Sequence, residues 1–210
     1  MTDLASLVTA FTALFVVIDP IGLTPLFVAL TPGMTPARRR GIAIRACAVA
    51  LAILTLFALF GEALLGFLGI SMPAFRIAGG ILLFVTALDM LFERRQKRRQ
   101  GTADAEETDA EHDDPSVFPL AIPLIAGPGA IATMILLAER ADGVAGYAAM
   151  FAVLAVVLGL VLALFLSSGL LERGLGATGI NVVTRLLGML LAALSVQFVI
   201  DGIRASGFGG

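Results

Sequence analysis

The sequence predicts an all-α membrane protein of six transmembrane helices, arranged as two inverted three-helix repeats, with the first and fourth helices broken or re-entrant. Three observations carry this: a high apolar content, apolar runs of spanning length along the whole chain, and a likeness between its two halves. Of 210 residues, 59 % are apolar and 14 % charged, and the mean hydropathy is +0.99. Ordinary soluble domains hold roughly 45–50 % apolar and about 25 % charged residues. A membrane-crossing helix needs about 17 to 25 mostly apolar residues. Runs of that length recur at residues 4–30, 42–67, 73–92, 117–138, 144–171 and 182–203.

Span one lacks the basic start and small-residue cleavage site of a secretory signal, so it reads as a retained span. Span two carries the single cysteine, Cys47, which excludes an intrachain disulfide or a cysteine metal cluster. After span three comes the longest polar stretch, residues 93–116, with a basic half, "ERRQKRR", and an acidic half, "DAEETDAEHDD". It reads as a solvated tether whose arginines meet anionic lipid headgroups, and the lone His112 sits within it as a solvated side chain. The division is therefore 1–92, the first three-helix repeat; 93–116, a charged cytoplasmic linker; and 117–210, the second repeat. The net charge of −2 gives no sign of a nucleic-acid partner, and none is expected.

Lysine and arginine in short loops stay on the cytoplasmic side. Arg38, Arg39, Arg40 and Arg45 follow span one, Arg94, Arg95, Lys97, Arg98 and Arg99 follow span three, and Arg173 follows span five. The other side holds only Arg140 and Arg204, so the count is ten against two and both termini are expected on the non-cytoplasmic side.

Span three opens "GISMPAFRIAGGILL" and span six "GINVVTRLLGMLL". Both read Gly-Ile, a short gap, then Arg-x-x-Gly, at Arg76/Gly79 and Arg185/Gly188. "DPIGLTP" of span one likewise lies over "GPGAIAT" of span four. With three spans per half, the second half enters from the opposite side, which is the pattern of an inverted-topology repeat.

Proline removes a backbone donor, clashes one turn back and pushes the preceding residue out of helical geometry. Pro20 and Pro25 are therefore expected to interrupt span one, and Pro123, Gly127, Pro128 and Gly129 span four. At about 1.5 Å per residue, Asp19 lies roughly 22 Å along the first helix and the Gly127 break roughly 15 Å into the fourth, both near mid-bilayer. Half-helix ends there attract anions through free amides and cations through free carbonyls, a combination that suits a zwitterion. An ionisable residue at that depth is a functional candidate. Asp19 can also cap the following half-helix through the amides near Ile21 or Gly22. The candidate binding set is Asp19, Pro20, Gly22, Thr24, Gly127, Pro128, Gly129 and Thr133, with the threonines offering hydroxyls to the cavity or to their own backbone. Arg76 and Arg185 are candidate gates, or partners for Asp89, Asp201 or Glu62, with snorkelling to the interface as the alternative. Gly79, Gly80 and Gly188 suit close helix contact or the lining of a cavity, Gly79 and Gly188 being grouped with the two arginines as gating candidates, and Gln197 suits an interhelical hydrogen bond.

The segments "DPIGLTPLF", "GISMPAFRIAGGILLF", "PLAIPLIAGPGAIATMI" and "GINVVTRLLGMLLAALSVQFVIDGI" together resemble the MarC family of bacterial integral membrane proteins, also called the small neutral amino acid transporter family, over nearly the full length. The resemblance implies six spans in the bacterial inner membrane and proton- or sodium-coupled movement of glycine, alanine and similar amino acids. Leu23 stands where relatives often carry asparagine, so a polar group beside the first break is absent.

The expected function is thus a secondary transporter of small neutral amino acids that works by alternating access around the two breaks. A passive channel or pore is the alternative, since half-helices also build channels. An enzyme is not expected: no His-Glu-x-x-His helix, serine–histidine pair or phosphate-binding loop is present. No metal or cofactor is expected beyond a coupling ion. Membrane lipid is the expected surroundings, and a homo-oligomer is left open.

Overall fold

The computed structural model describes residues 3–92 and 114–207, with the side chains of 169–175 and 177 outside the description. His112, the basic and acidic runs of the linker before Asp114, and the Arg173 side chain therefore lie outside the described residues. Those residues form eight helical elements: α1 (Leu4–Ile18), α2 (Pro20–Ala29), α3 (Pro36–Phe67), α4 (Met72–Leu91), α5 (Ser116–Ile125), α6 (Pro128–Glu139), α7 (Gly143–Leu166) and α8 (Ser168–Ala205). Five stretches are long and apolar enough to cross a membrane, one of them α1 with α2 over 26 residues. The α5–α6 pair, bent by 60°, makes a sixth.

Local signals explain where each element starts. Asp3 caps α1 by accepting from Ser6 N–H, Thr35 caps α3 through Arg38 N–H, and Ser71 caps α4 through Ala74 N–H. Proline occupies the first turn of α2, α3, α4 and α6, where its missing N–H is no loss. α3 has 32 residues, longer than the roughly 20 that span hydrocarbon, because its first two turns carry Arg38, Arg39 and Arg40 beyond the apolar run. α8 is interrupted at Gly176, with φ of +61°, and its apolar part begins at Thr178.

The expected break at Pro25 does not occur. Pro25 sits inside α2, where the helix is only ten residues long and the proline removes a single bond in its second turn. The interruption lies one residue before Pro20, at Asp19.

α3 shows how the bundle packs. Its buried stripe is Ala43, Ala46, Ala50, Leu54, Ala58 and Gly61, recurring every three or four residues. Leu51, Leu56, Phe60 and Leu64 face outward, as a lipid-facing side requires. Helices gain no hydrophobic driving force against lipid, so small residues and close packing hold them together. The small face of α3 meets α5, α6 and α7, and a Cβ on Gly61 would lie 2.5 Å from Ile135 Cγ1. α1 and α2 pack on α7 and α8, and Phe27 of α2 stacks on Phe165 of α7 at 4.4 Å. The linker's far end is fastened to α3: Arg45 pairs with Asp114 at 2.8 Å and donates to Ser116 at 3.4 Å. Partial burial alone would raise the Asp114 carboxyl, but hydrogen bonds from Ser116 and the Arg45 cation outweigh it and hold the group below its ordinary range.

The most extensive contact joins α4 and α8. A Cβ on Gly80 would stand 2.8 Å from Ser195 O, one on Gly188 2.9 Å from Met90 Cβ, and one on Gly202 3.0 Å from Pro73 O. The glycine role expected of Gly80 and Gly188 thus holds, Gly202 joins them, and Gly79 instead faces α6 at ordinary distance from Leu136. Backbone cannot yield as a side-chain tip can. Gly80→Ala is therefore expected to destabilise the protein by about 1–3 kcal/mol. Gly159→Ala in α7, where a Cβ meets nothing within 4 Å, is expected to be neutral or to stabilise by up to about 1 kcal/mol. Thermal unfolding in detergent compares the two, and an equal effect of both would remove the close-contact explanation.

Candidate functional site

The first break is built on one residue. Asp19 has φ of +57° and ψ of 64°, the only non-glycine with positive φ among the described residues. Aspartate tolerates this left-handed geometry because its short side chain bonds locally. Its N–H closes α1 onto Phe15 O at 2.9 Å, its C=O accepts from Leu23 N–H at 3.0 Å, and its carboxylate accepts from Gly22 N–H at 3.1 Å. One residue ends α1 and caps α2, while remaining only 1 % exposed. Gly22 is required because a Cβ there would collide with the Asp19 carboxylate.

The second break is built differently. Phe118 and Ile122, each before a proline, take extended backbone angles inside α5. The surrounding turns widen to five-residue spacing, with Leu120 N–H on Pro115 O at 3.2 Å and Ala126 N–H on Ala121 O at 2.8 Å. Pro119, not singled out from the sequence, contributes as much as Pro123. Gly127 follows, where a Cβ would lie 2.6 Å from Pro123 O. Pro128 then opens α6, which no side chain caps.

Gly129, at the start of α6, packs against the end of α1 and the middle of α4: a Cβ there would lie 3.2 Å from Val17 Cγ1 and 3.4 Å from Leu83 Cδ2. Thr24 and Thr133 are fully buried, and each donates to its own backbone one turn back, to Pro20 O at 2.9 Å and Gly129 O at 2.8 Å. Their protons are committed to the helix, so the hydroxyls offer only lone pairs to a neighbour.

The partner of Arg76 differs from expectation. Arg76 pairs with Glu139 at the end of α6, with both side chains largely buried, and not with Asp89, Asp201 or Glu62. Asp201 pairs instead with Arg140 at 2.9 Å, and Arg140 also lies 5.4 Å over the Phe198 ring. Gln197 bonds Asp201 on its own helix at 2.7 Å rather than crossing to another, because a four-residue separation puts the two on one face. Arg185 is exposed. Glu139 was missed by sequence reasoning; its only signal is a charged Glu-Arg pair closing an apolar run.

Among the described residues, no group of three or more histidine, cysteine, aspartate or glutamate side chains is placed to hold a metal ion.

Residues 4–206 match the family described as MarC family integral membrane protein. The chain is 39 % identical to the UPF0056 membrane protein MJ1677 of Methanocaldococcus jannaschii, over 97 % of this chain and 98 % of that one. It is 37 % identical to YvbG of Bacillus subtilis, over 94 % of each chain. It is 34 % identical to YhgN of Escherichia coli K12, named an inner membrane protein, over 94 % of this chain and 96 % of that one. No solved structure matches. A match spanning almost every described helix, together with relatives at this identity over full length, places the chain in the MarC family of integral membrane proteins.

Proposed function

We propose that this protein is a multi-pass inner-membrane secondary transporter of small neutral amino acids of the glycine and alanine class, coupled to protons or sodium and working by alternating access. The observation that carries the reading is the pair of unlike helix breaks, one bearing a buried carboxylate and the other a partly exposed helix start without a side-chain cap. The amides of Gly129 and Ala130 receive no side-chain cap, so the positive end of α6 is available to a substrate carboxylate. Asp19, already capping α2, supplies a negative charge for a substrate ammonium or a coupling cation.

The helix packing supports an inverted repeat. Pairing α1 with α5, α2 with α6, α3 with α7 and α4 with α8 maps α1 on α7 to α5 on α3, α2 on α7 to α6 on α3, and α2 on α8 to α6 on α4, all of which occur. Two halves related in this way rock about a fixed central site. In that cycle the end of α6 is a gate. Glu139 holds α4 through Arg76, and the adjacent Arg140 holds α8 through Asp201. Both pairs lie at the end of the bundle that the charge bias puts outside the cytoplasm.

Purified protein in liposomes is expected to show saturable counterflow of labelled alanine or glycine; large unitary currents without counterflow would favour a channel. Asparagine caps a helix about as well as aspartate and tolerates the left-handed region, so Asp19→Asn keeps the break and removes only the charge. It is expected to fold normally and to lose transport driven by an imposed proton or sodium gradient. Asp19→Ala is expected to lose about 2 kcal/mol of stability as well. Full gradient-driven transport by the asparagine variant would reduce Asp19 to a cap.

For the gate, Glu139→Gln leaves the Arg76 cation largely buried without its partner and is expected to lower stability by about 1–3 kcal/mol. The exchange Arg76→Glu with Glu139→Arg is expected to recover at least half of that in thermal unfolding. Simple addition of the two single effects would show that the pair is not coupled.

A further inference from the structure

The end of the bundle opposite the Arg76–Glu139 pair holds a cavity of about 260 Å³, lined among others by Pro36, Arg39, Arg40, Phe165 and Ser168. Among the described residues no carboxylate lines it. Arg39 donates to Ser168 Oγ at 3.0 Å and lies 5.3 Å over the Phe27 ring, itself stacked on Phe165. Neutral groups thus fix the Arg39 guanidinium in place without neutralising it. Among the described residues neither Arg39 nor Arg40 makes an ion pair with a carboxylate. A guanidinium carries five N–H donors in a fork that fits phosphate. Arg39 and Arg40 both line the cavity, and Arg40 is exposed.

Other features point the same way. The first turn of α3 forms part of the wall, so the positive end of a 32-residue helix adds to the two cations. The volume falls below the roughly 300–1,000 Å³ of sites for drug-sized ligands, which suits a compact anion. Leu166, half exposed at the end of α7, borders the cavity with an apolar edge, where the polar and apolar parts of a lipid meet.

We propose that this cavity binds a phosphate-bearing anion through Arg39, Arg40 and Ser168, presented either by the headgroup of an acidic phospholipid or as free phosphate. The site is separate from the helix breaks, so its failure would leave the transport reading untouched.

The test uses the full chain in nanodiscs of phosphatidylcholine, titrated in one arm with phosphatidylglycerol and in the other with inorganic phosphate. Binding is read by native mass spectrometry and by thermal unfolding. Wild type is expected to retain one phosphatidylglycerol or phosphate above background and to be stabilised by it. Each of Arg39→Gln and Arg40→Gln is expected to weaken binding by about fivefold, while Arg204→Gln, at the other end of the bundle, leaves it unchanged. Arg40 is exposed and its substitution disturbs no described contact, so its variant reports binding even where Arg39→Gln folds poorly. Response to phosphatidylglycerol alone assigns the site to lipid, and response to millimolar phosphate assigns it to the free anion. Binding of neither ligand above the zwitterionic background, or equal binding by wild type and the Arg40→Gln variant, would overturn the proposal.

Discussion

A backbone amide or carbonyl inside hydrocarbon has no water to turn to, and leaving one unpaired costs several kcal/mol. The architecture here follows from how each interruption of a helix meets that demand. At Asp19 the solution is local: its amide, carbonyl and carboxylate serve the last turn of α1 and the first turn of α2. The chain therefore runs on through α1 and α2 as a single 26-residue span. At α5 the prolines remove donors, and the turns widen so that the remaining amides reach carbonyls five residues back. That repair continues the backbone bonding but not the direction, and α5 and α6 diverge by 60°. α6 begins without a side-chain cap, and Val17 and Leu83 pack close against its first turn.

The two breaks are consequently unequal in charge as well as in shape. The first brings its own anion to a helix start and neutralises it; the second leaves the positive end of α6 unanswered by any side chain. A carboxylate at Gly127 would have stabilised α6 by the ordinary capping amount, about 1 kcal/mol. Forgoing it makes sense where an anion from outside is meant to arrive. The same physics at the far end, where Arg39 is held by a serine and a ring rather than a carboxylate, gives a second place where positive charge is fixed but not cancelled.

The sequence made the membrane class and the apolar runs legible, and it pointed to interruptions beside Pro20 and Pro123 to Gly129, because these depend on composition and on proline and glycine acting within a few residues of themselves. Asp19 as a cap was readable for the same reason, and so was the close packing at Gly80 and Gly188. Pro25 misled because a proline's effect depends on how much helix precedes it, and α2 starts only five residues earlier. The pairing of Arg76 with Glu139 was not readable at all: the two lie 63 positions apart, and only the course of α6 towards the start of α4 brings them together. Gln197 misled in the opposite way. Its partner was on its own helix, four residues on, and local geometry favours that bond over one across helices.

In the proposed cycle the ion pairs and the breaks are linked through α6. This short helix of 12 residues follows the bend at Gly127 and is tied at its far end by Glu139 and Arg140 to α4 and α8. Opening space for a substrate beside Gly129 means moving the first turn of α6 away from Val17 and Leu83. A helix is stiff over so few turns, so that displacement would be carried to its other end, where it would strain two ion pairs, the Arg76–Glu139 pair largely buried and the Arg140–Asp201 pair partly exposed. Separating such a pair leaves uncompensated charges and is strongly unfavourable, so in the proposed cycle the site stays shut until something offsets that loss. A zwitterion whose carboxylate meets the amides of α6 while its ammonium meets Asp19 supplies such an offset, and it does so only when both breaks are engaged. In that reading, the need to satisfy both ends at once favours small molecules that carry an ammonium and a carboxylate on one carbon, the defining feature of an α-amino acid.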